Sequence, residues 1–179
     1  MTSPEPTALQ QAVTAAEAHI RLQGIEVGYV FDTQGRQLLH LYGTEDQIDL
    51  TGHEDILAGN VFTHNHPQGW SFPRDDPRHA GNSFSLEDVM LASRHRLAEI
   101  RAVTPVYRYS MQPGAAGWPS PDVLQQAFAI ADASRDRRIS EGLLRGTIDV
   151  ERANAEHLHE VWQEVASVLR VEYSRGRFP

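Results

Sequence analysis

Asn60-Val61-Phe62-Thr63 reads as a brief strand that runs straight into His64-Asn65-His66-Pro67, where the proline, with no amide N–H and a fixed φ, stops it. At the end of an extended strand, residues two apart project from the same face. The imidazoles of His64 and His66 can therefore converge on one ion. An isolated H-x-H is more often a polar strand end with exposed or hydrogen-bonded histidines, so its surroundings have to decide. Downstream, Ser85-Leu86-Glu87-Asp88 opens a helix that runs to about Leu97. Alone, S-x-x-D is an ordinary capping box, in which the serine oxygen accepts from an amide of the first turn and the acid answers back. A carboxylate there can instead point outward from the helix end. Asp88 would then be a third protein ligand, leaving a fourth position for water. Capping and ligation draw on the same Asp88 oxygens.

Upstream, Val27, Tyr29 and Phe31 alternate with Glu26, Gly28 and Val30, which is strand periodicity with an aromatic-rich inner face. Asp32-Thr33-Gln34-Gly35 is a turn, and Gln37 to Tyr42 pairs back as a hairpin whose loop has Gly35 where a positive φ is needed. Glu26 stands at the start of the first strand, opposite Val27, Tyr29 and Phe31, with side-chain-free Gly28 next to it and space there for a ligand. Taken alone it reads as an exposed strand residue. Before the hairpin, Leu9, Val13, Ala16 and Ile20 form one stripe of an amphipathic helix within Thr7 to Leu22. After it come a short helical turn over Gly52 to Leu57, a long loop over Gln68 to Asn82, and strands over Glu99 to Val103 and Val106 to Met111.

Gln112 to Pro121, rich in Pro and Gly, is the clearest boundary. Two helical segments follow, one carrying Val123, Leu124, Ala127, Phe128 and Ala131, the other Leu158, Val161, Val165 and Leu169. Packing on the core, pairing with each other, or forming a homodimer interface are all open to them. The expected organisation is an N-terminal helix in residues 1–24, an α/β core in 25–111, and a linker with a two-helix extension in 112–179.

Composition narrows the chemistry. At 179 residues, 40% hydrophobic and 22% charged, the chain suits one soluble domain, and no run approaches the roughly 18 apolar residues of a membrane span. Met1 to Pro6 lacks the basic and apolar parts of a secretory signal, so the expected location is the cytoplasm. Cysteine is absent, which removes disulfides, thiolate nucleophiles and Cys-ligated metal sites, so any metal must sit on histidine and carboxylate. A net charge of -8 argues against nucleic acid as the main partner, despite the local groups Arg135, Arg137, Arg138 and Arg170, Arg175, Arg177. Other histidines offer less: His53-Glu54-Asp55-Ile56-Leu57 fails the H-E-x-x-H pattern at leucine, and His157-Leu158-His159 with Glu156 reads as a solvated helix face.

Together, Glu26, His64-Asn65-His66-Pro67 and Ser85-Leu86-Glu87-Asp88 resemble the JAB/JAMM (MPN+) metalloprotease family: a distant upstream Glu, then H-x-H-P, then S-x-x-D. The resemblance covers about Ile25 to Met111, and the wording around the histidines and Ser83-Phe84-Ser85 is similar to prokaryotic JAB-like domains of phage head-associated proteins and toxin systems. The chain departs from the family pattern in the long Pro67 to Phe84 insert between the two motifs. The resemblance implies a cytidine-deaminase-like α/β core, a central mixed sheet flanked by helices. It also implies zinc held by His64, His66 and Asp88, Glu26 as general base, and Ser85 Oγ as hydrogen-bond donor to the oxyanion. The implied activity is hydrolysis of a peptide or isopeptide bond in a peptide, protein or ubiquitin-like substrate. The alternative is a non-catalytic module of the same fold in a phage or polymorphic-toxin assembly. A zinc nucleobase deaminase would need cysteine ligands and is excluded.

Overall fold

A computed structural model describes residues 5–178. Of the segment read for a secretory signal, Met1 to Pro4 lie outside the described residues. The chain forms helix α1 (Ala8–Ile20), strands β1 (Val27–Phe31), β2 (Gln37–Tyr42) and β3 (Val61–Asn65), helix α2 (Leu86–His95), and strands β4 (Glu99–Val103) and β5 (Tyr107–Gln112). Helices α3 (Pro121–Leu144) and α4 (Val150–Leu169) and strand β6 (Glu172–Arg177) complete it. The six strands make one mixed sheet in the order β2-β1-β3-β4-β5-β6, with β3 and β4 parallel and every other neighbouring pair antiparallel.

Both faces of the sheet are covered. On one side Val13 and Ile20 of α1 pack against Val27, Tyr29, Phe31, Val61 and Val103. On the other, Val30, Phe62, Ile100, Ala102, Tyr109 and Met111 meet Val89 and Ala92 of α2 and Val161, Trp162 and Val165 of α4. All five residues of β1 are consequently buried, so its alternation separates two cores rather than core from solvent. The β1–β2 turn follows its sequence: Gly35 has φ 86°, and Asp32 Oδ1 accepts from the amides of Gln34 and Arg36.

The C-terminal region takes two of its three open fates at once. Helices α3 and α4 pair through Arg135–Glu160 and Arg138–Glu164, while α4 seats Trp162, fully buried, on the core. Trp162 Nε1 donates to Phe84 O at 2.7 Å, satisfying the one polar atom of that side chain. The region is not helical throughout, because β6 adds to the sheet beside β5. Its polar sequence, Glu172-Tyr173-Ser174-Arg175-Gly176-Arg177, has no apolar alternation to announce an edge strand. With Tyr173 laid against it, His159 is buried rather than solvated as its sequence suggested. Three of the six arginines noted above, Arg135, Arg138 and Arg175, are in ion pairs with glutamates of α4. Among the described residues no helix is long and apolar enough to cross a membrane.

Candidate metal centre

His64, in β3, and His66, directly after its end, project toward the N-terminus of α2, and both are buried. Their Nε2 atoms lie 2.9 Å apart, while Asp88 brings Oδ1 to 3.3 Å from His64 Nε2 and Oδ2 to 3.4 Å from His66 Nε2. One ligand atom from each residue falls within 4.8 Å of the others. A tetrahedral ion with metal–nitrogen bonds of about 2.0–2.1 Å separates its donors by about 3.3 Å, close to this spacing. At most one proton fits between the two Nε2 atoms, so in the metal-free chain the corner is held by that one hydrogen bond and by the charge of Asp88. The donor set and its spacing suit a divalent cation.

Asp88 forms the capping box and still keeps an oxygen turned to the histidines. Its Oδ2 accepts from Ser85 N–H at 2.7 Å and Ser85 Oγ accepts from Asp88 N–H at 3.1 Å, a complete capping box, while Oδ1 remains turned to His64. The histidine charges and hydrogen bonds overcome burial and hold the Asp88 carboxyl well below its ordinary range. Burial would lower the pKa of His66, but the hydrogen bond and charge of Asp88, joined by Glu26, raise it to about 9. His66 Nδ1 donates to Asn82 O at 3.1 Å when its Nε2 is the free acceptor, the outer hydrogen bond typical of a ligating imidazole. His64 is oriented differently: its ring stacks on Phe62, centroids 5.1 Å apart, and its buried Nδ1 meets no partner among the described residues.

Glu26 lies directly before β1 and is buried, 6% exposed, correcting its reading as an exposed strand residue. The loop after β2 lies beside it, and its Asp46, Gln47, Ile48 and Leu50 line the same cleft. Burial raises the Glu26 pKa, partly opposed by His64 and His66. Gly28 pairs with His64 across β1–β3, but the room it leaves is filled: a Cβ there would stand 2.8 Å from both Phe62 Cε2 and Ile48 Cδ1. The missing side chain thus admits the ring that orients His64, not a ligand.

The cleft over these groups has a volume of about 470 Å³ and includes Glu26, His64, His66, Ser85 and Asp88 in its lining. All five sequence-derived site residues are brought together. Ser85 Oγ uses a lone pair in the capping box, leaving its hydroxyl proton available to donate. The insert contributes its two ends, Gln68 and Asn82–Ser83, while Trp70 and Phe72 line a separate groove with Arg21 and Phe178. Sequence reasoning missed the carbonyl of Asn82, the ring of Phe62 and the side chain of Asn65. For Asn65 a signal existed: asparagine is disfavoured in strands, and a buried carboxamide must find partners.

The chain matches no family model, no curated protein and no solved structure with which it was compared.

Proposed function

We propose that the chain is a zinc-dependent metallopeptidase or isopeptidase of the JAB/JAMM type, with the sheet around β3 as its cytidine-deaminase-like core. The observation that carries this reading is the convergence of His64, His66 and Asp88 beneath a cleft that also holds a buried Glu26. Two imidazoles with one carboxylate are a donor set of catalytic zinc sites, which keep one position open. When bound by these three residues, zinc would supply Lewis acidity toward a scissile carbonyl and lower the pKa of a water toward neutrality.

The remaining work falls to side chains. Glu26, its proton affinity raised by burial, takes a proton from the attacking water on its carboxylate and hands it to the leaving amine. Ser85 donates its free hydroxyl proton to the oxyanion as the carbonyl becomes tetrahedral. The carbonyl of Asn82 holds His66 with Nε2 toward the ligand corner, and the capping box holds Asp88 there at no cost to the helix end. A cleft of this size takes a short extended segment of a peptide, protein or ubiquitin-like tail.

The test is a screen of quenched fluorescent peptides and isopeptide-linked ubiquitin-like conjugates with zinc-loaded, chelated and zinc-restored protein. Cleavage that is lost on chelation and returns with zinc supports the reading. A protein that holds zinc tightly yet cleaves nothing in the screen would instead favour the non-catalytic module.

A further inference from the structure

We infer that Asn65, the residue between the two histidines, is a positioning residue for Glu26; this rests on the reading of Glu26 as the proton-transferring base. His64 and His66 face the cleft, so Asn65 faces the other way, toward α1. It is fully buried, in a position where a polar side chain is costly unless every group is paired. All its carboxamide groups are paired, and each with the same short segment. Oδ1 accepts from Val27 N–H at 2.6 Å, and Nδ2 donates to Ile25 O at 2.9 Å and Gln23 O at 3.3 Å.

Ile25 and Val27 are the immediate neighbours of Glu26. One carboxamide therefore grips the peptide units on both sides of that residue. From the other side, Glu26 N–H donates to Thr44 O at 2.7 Å and Glu26 O accepts from Gly43 N–H at 2.8 Å. The backbone of Glu26 is thus fixed from β3 and from the segment after β2, although it lies outside any regular strand. Successive residues at the end of β3 then set the whole constellation: His64 and, one residue past the strand, His66 supply two ligands, and Asn65 between them fixes where Glu26 stands relative to those ligands. A register slip of β1 against β3 would move all three together.

The experiment compares the full chain, zinc-loaded, with Asn65→Ala and with Thr63→Val. Thr63 is a buried polar residue on the same face of β3 whose hydroxyl bonds Glu17 at 3.3 Å, away from the Glu26 segment. Three readouts are taken: zinc content, amide hydrogen exchange at Ile25 to Val27, and kcat and KM on a quenched fluorescent peptide library. For Asn65→Ala the expected result is retained zinc, exchange at Val27 faster by about tenfold or more, and kcat lower by about a hundredfold with KM little changed. Thr63→Val leaves exchange at Val27 and kcat per metal-loaded molecule unchanged. In a Glu26→Gln background, Asn65→Ala changes the residual kcat by less than about twofold, because its effect passes through Glu26. Should Asn65→Ala fail to fold, Asn65→Asp keeps the acceptor for Val27 and loses both donors, and kcat still falls by about tenfold or more. Unchanged exchange at Val27 in Asn65→Ala, or a full further loss of kcat in the Glu26→Gln background, overturns the inference. If the wild-type protein cleaves nothing, the role of Glu26 as base falls, while the exchange arm still decides whether Asn65 holds that segment.

Discussion

Strand β3 carries a buried polar cluster on each of its faces, and the two are built on opposite principles. Toward α1, Thr63 meets Glu17, which is fully buried and paired with Arg101 at 2.5 Å; Arg101 also reaches Glu99, and Glu99 accepts from Ser110. The two carboxylates share the Arg101 guanidinium, and each also accepts from a hydroxyl, so each charge is paired within the cluster. Toward α2, His64 and His66 turn Nε2 atoms toward each other and toward Asp88, beneath a cleft. The first cluster pairs its charges internally, and the second gathers three donor atoms at a spacing that could hold a metal ion. Burial of polar groups alone marks neither as functional; what separates them is that only the second brings metal-ligating atoms from three residues together beneath the cleft that also holds Glu26.

The largest expected effect lies on the cleft side. Glu26→Gln removes the proton acceptor and should lower kcat of the zinc-loaded protein by about 100- to 10,000-fold, leaving zinc content and melting temperature unchanged. Full hydrolytic activity in that variant would sink the assignment. On the α1 side, Arg101→Met leaves Glu17 as a buried unpaired carboxylate. It should cost about 3–5 kcal/mol in denaturant unfolding while zinc binding per folded molecule persists. Loss of zinc without loss of stability would erase the contrast between the two faces. Ser85→Ala touches both roles of the helix start: kcat should fall by about a hundredfold, and stability by about 1 kcal/mol through the lost cap.

A third buried histidine sharpens the comparison with the smallest effect. His159 Nδ1 bonds the hydroxyl of Tyr173, and burial, with Arg175 nearby, lowers its pKa from the ordinary value of 6.5. The unfolded chain then binds the proton more readily than the folded one. Its contribution is present above about pH 6.5 and is lost as the pH falls through the folded value. Urea titrations of the metal-free protein from pH 7.5 downward, run beside His159→Gln, should show a shallower decline in the variant below about pH 6.5.

The convergence of His64, His66 and Asp88 and the strands that present it were legible because they rest on period-two projection and on two motifs that are local in sequence, H-N-H-P and S-L-E-D. The hairpin, β3, α2, β4 and β5 fall close to where periodicity put them. What escaped depends on contacts between distant segments. Strand β6 forms because β5 offers an edge, not because its own residues alternate, and its arrival buries His159. Glu17 sits beside the apolar stripe of α1, and its burial makes sense only with Arg101, 84 residues away, opposite it. Glu26 is likewise buried in a cleft that the Asp46 to Leu50 loop also lines, which no pattern around Glu26 reveals.

Zinc content of the purified full chain, measured by mass spectrometry before and after zinc is added back, tests the central claim most directly beside a His64→Ala/His66→Ala control. About one zinc per chain in the wild type, lost in the control, is the predicted result. A wild-type chain that binds no metal even after add-back would contradict it, and with it the contrast between the two faces of β3.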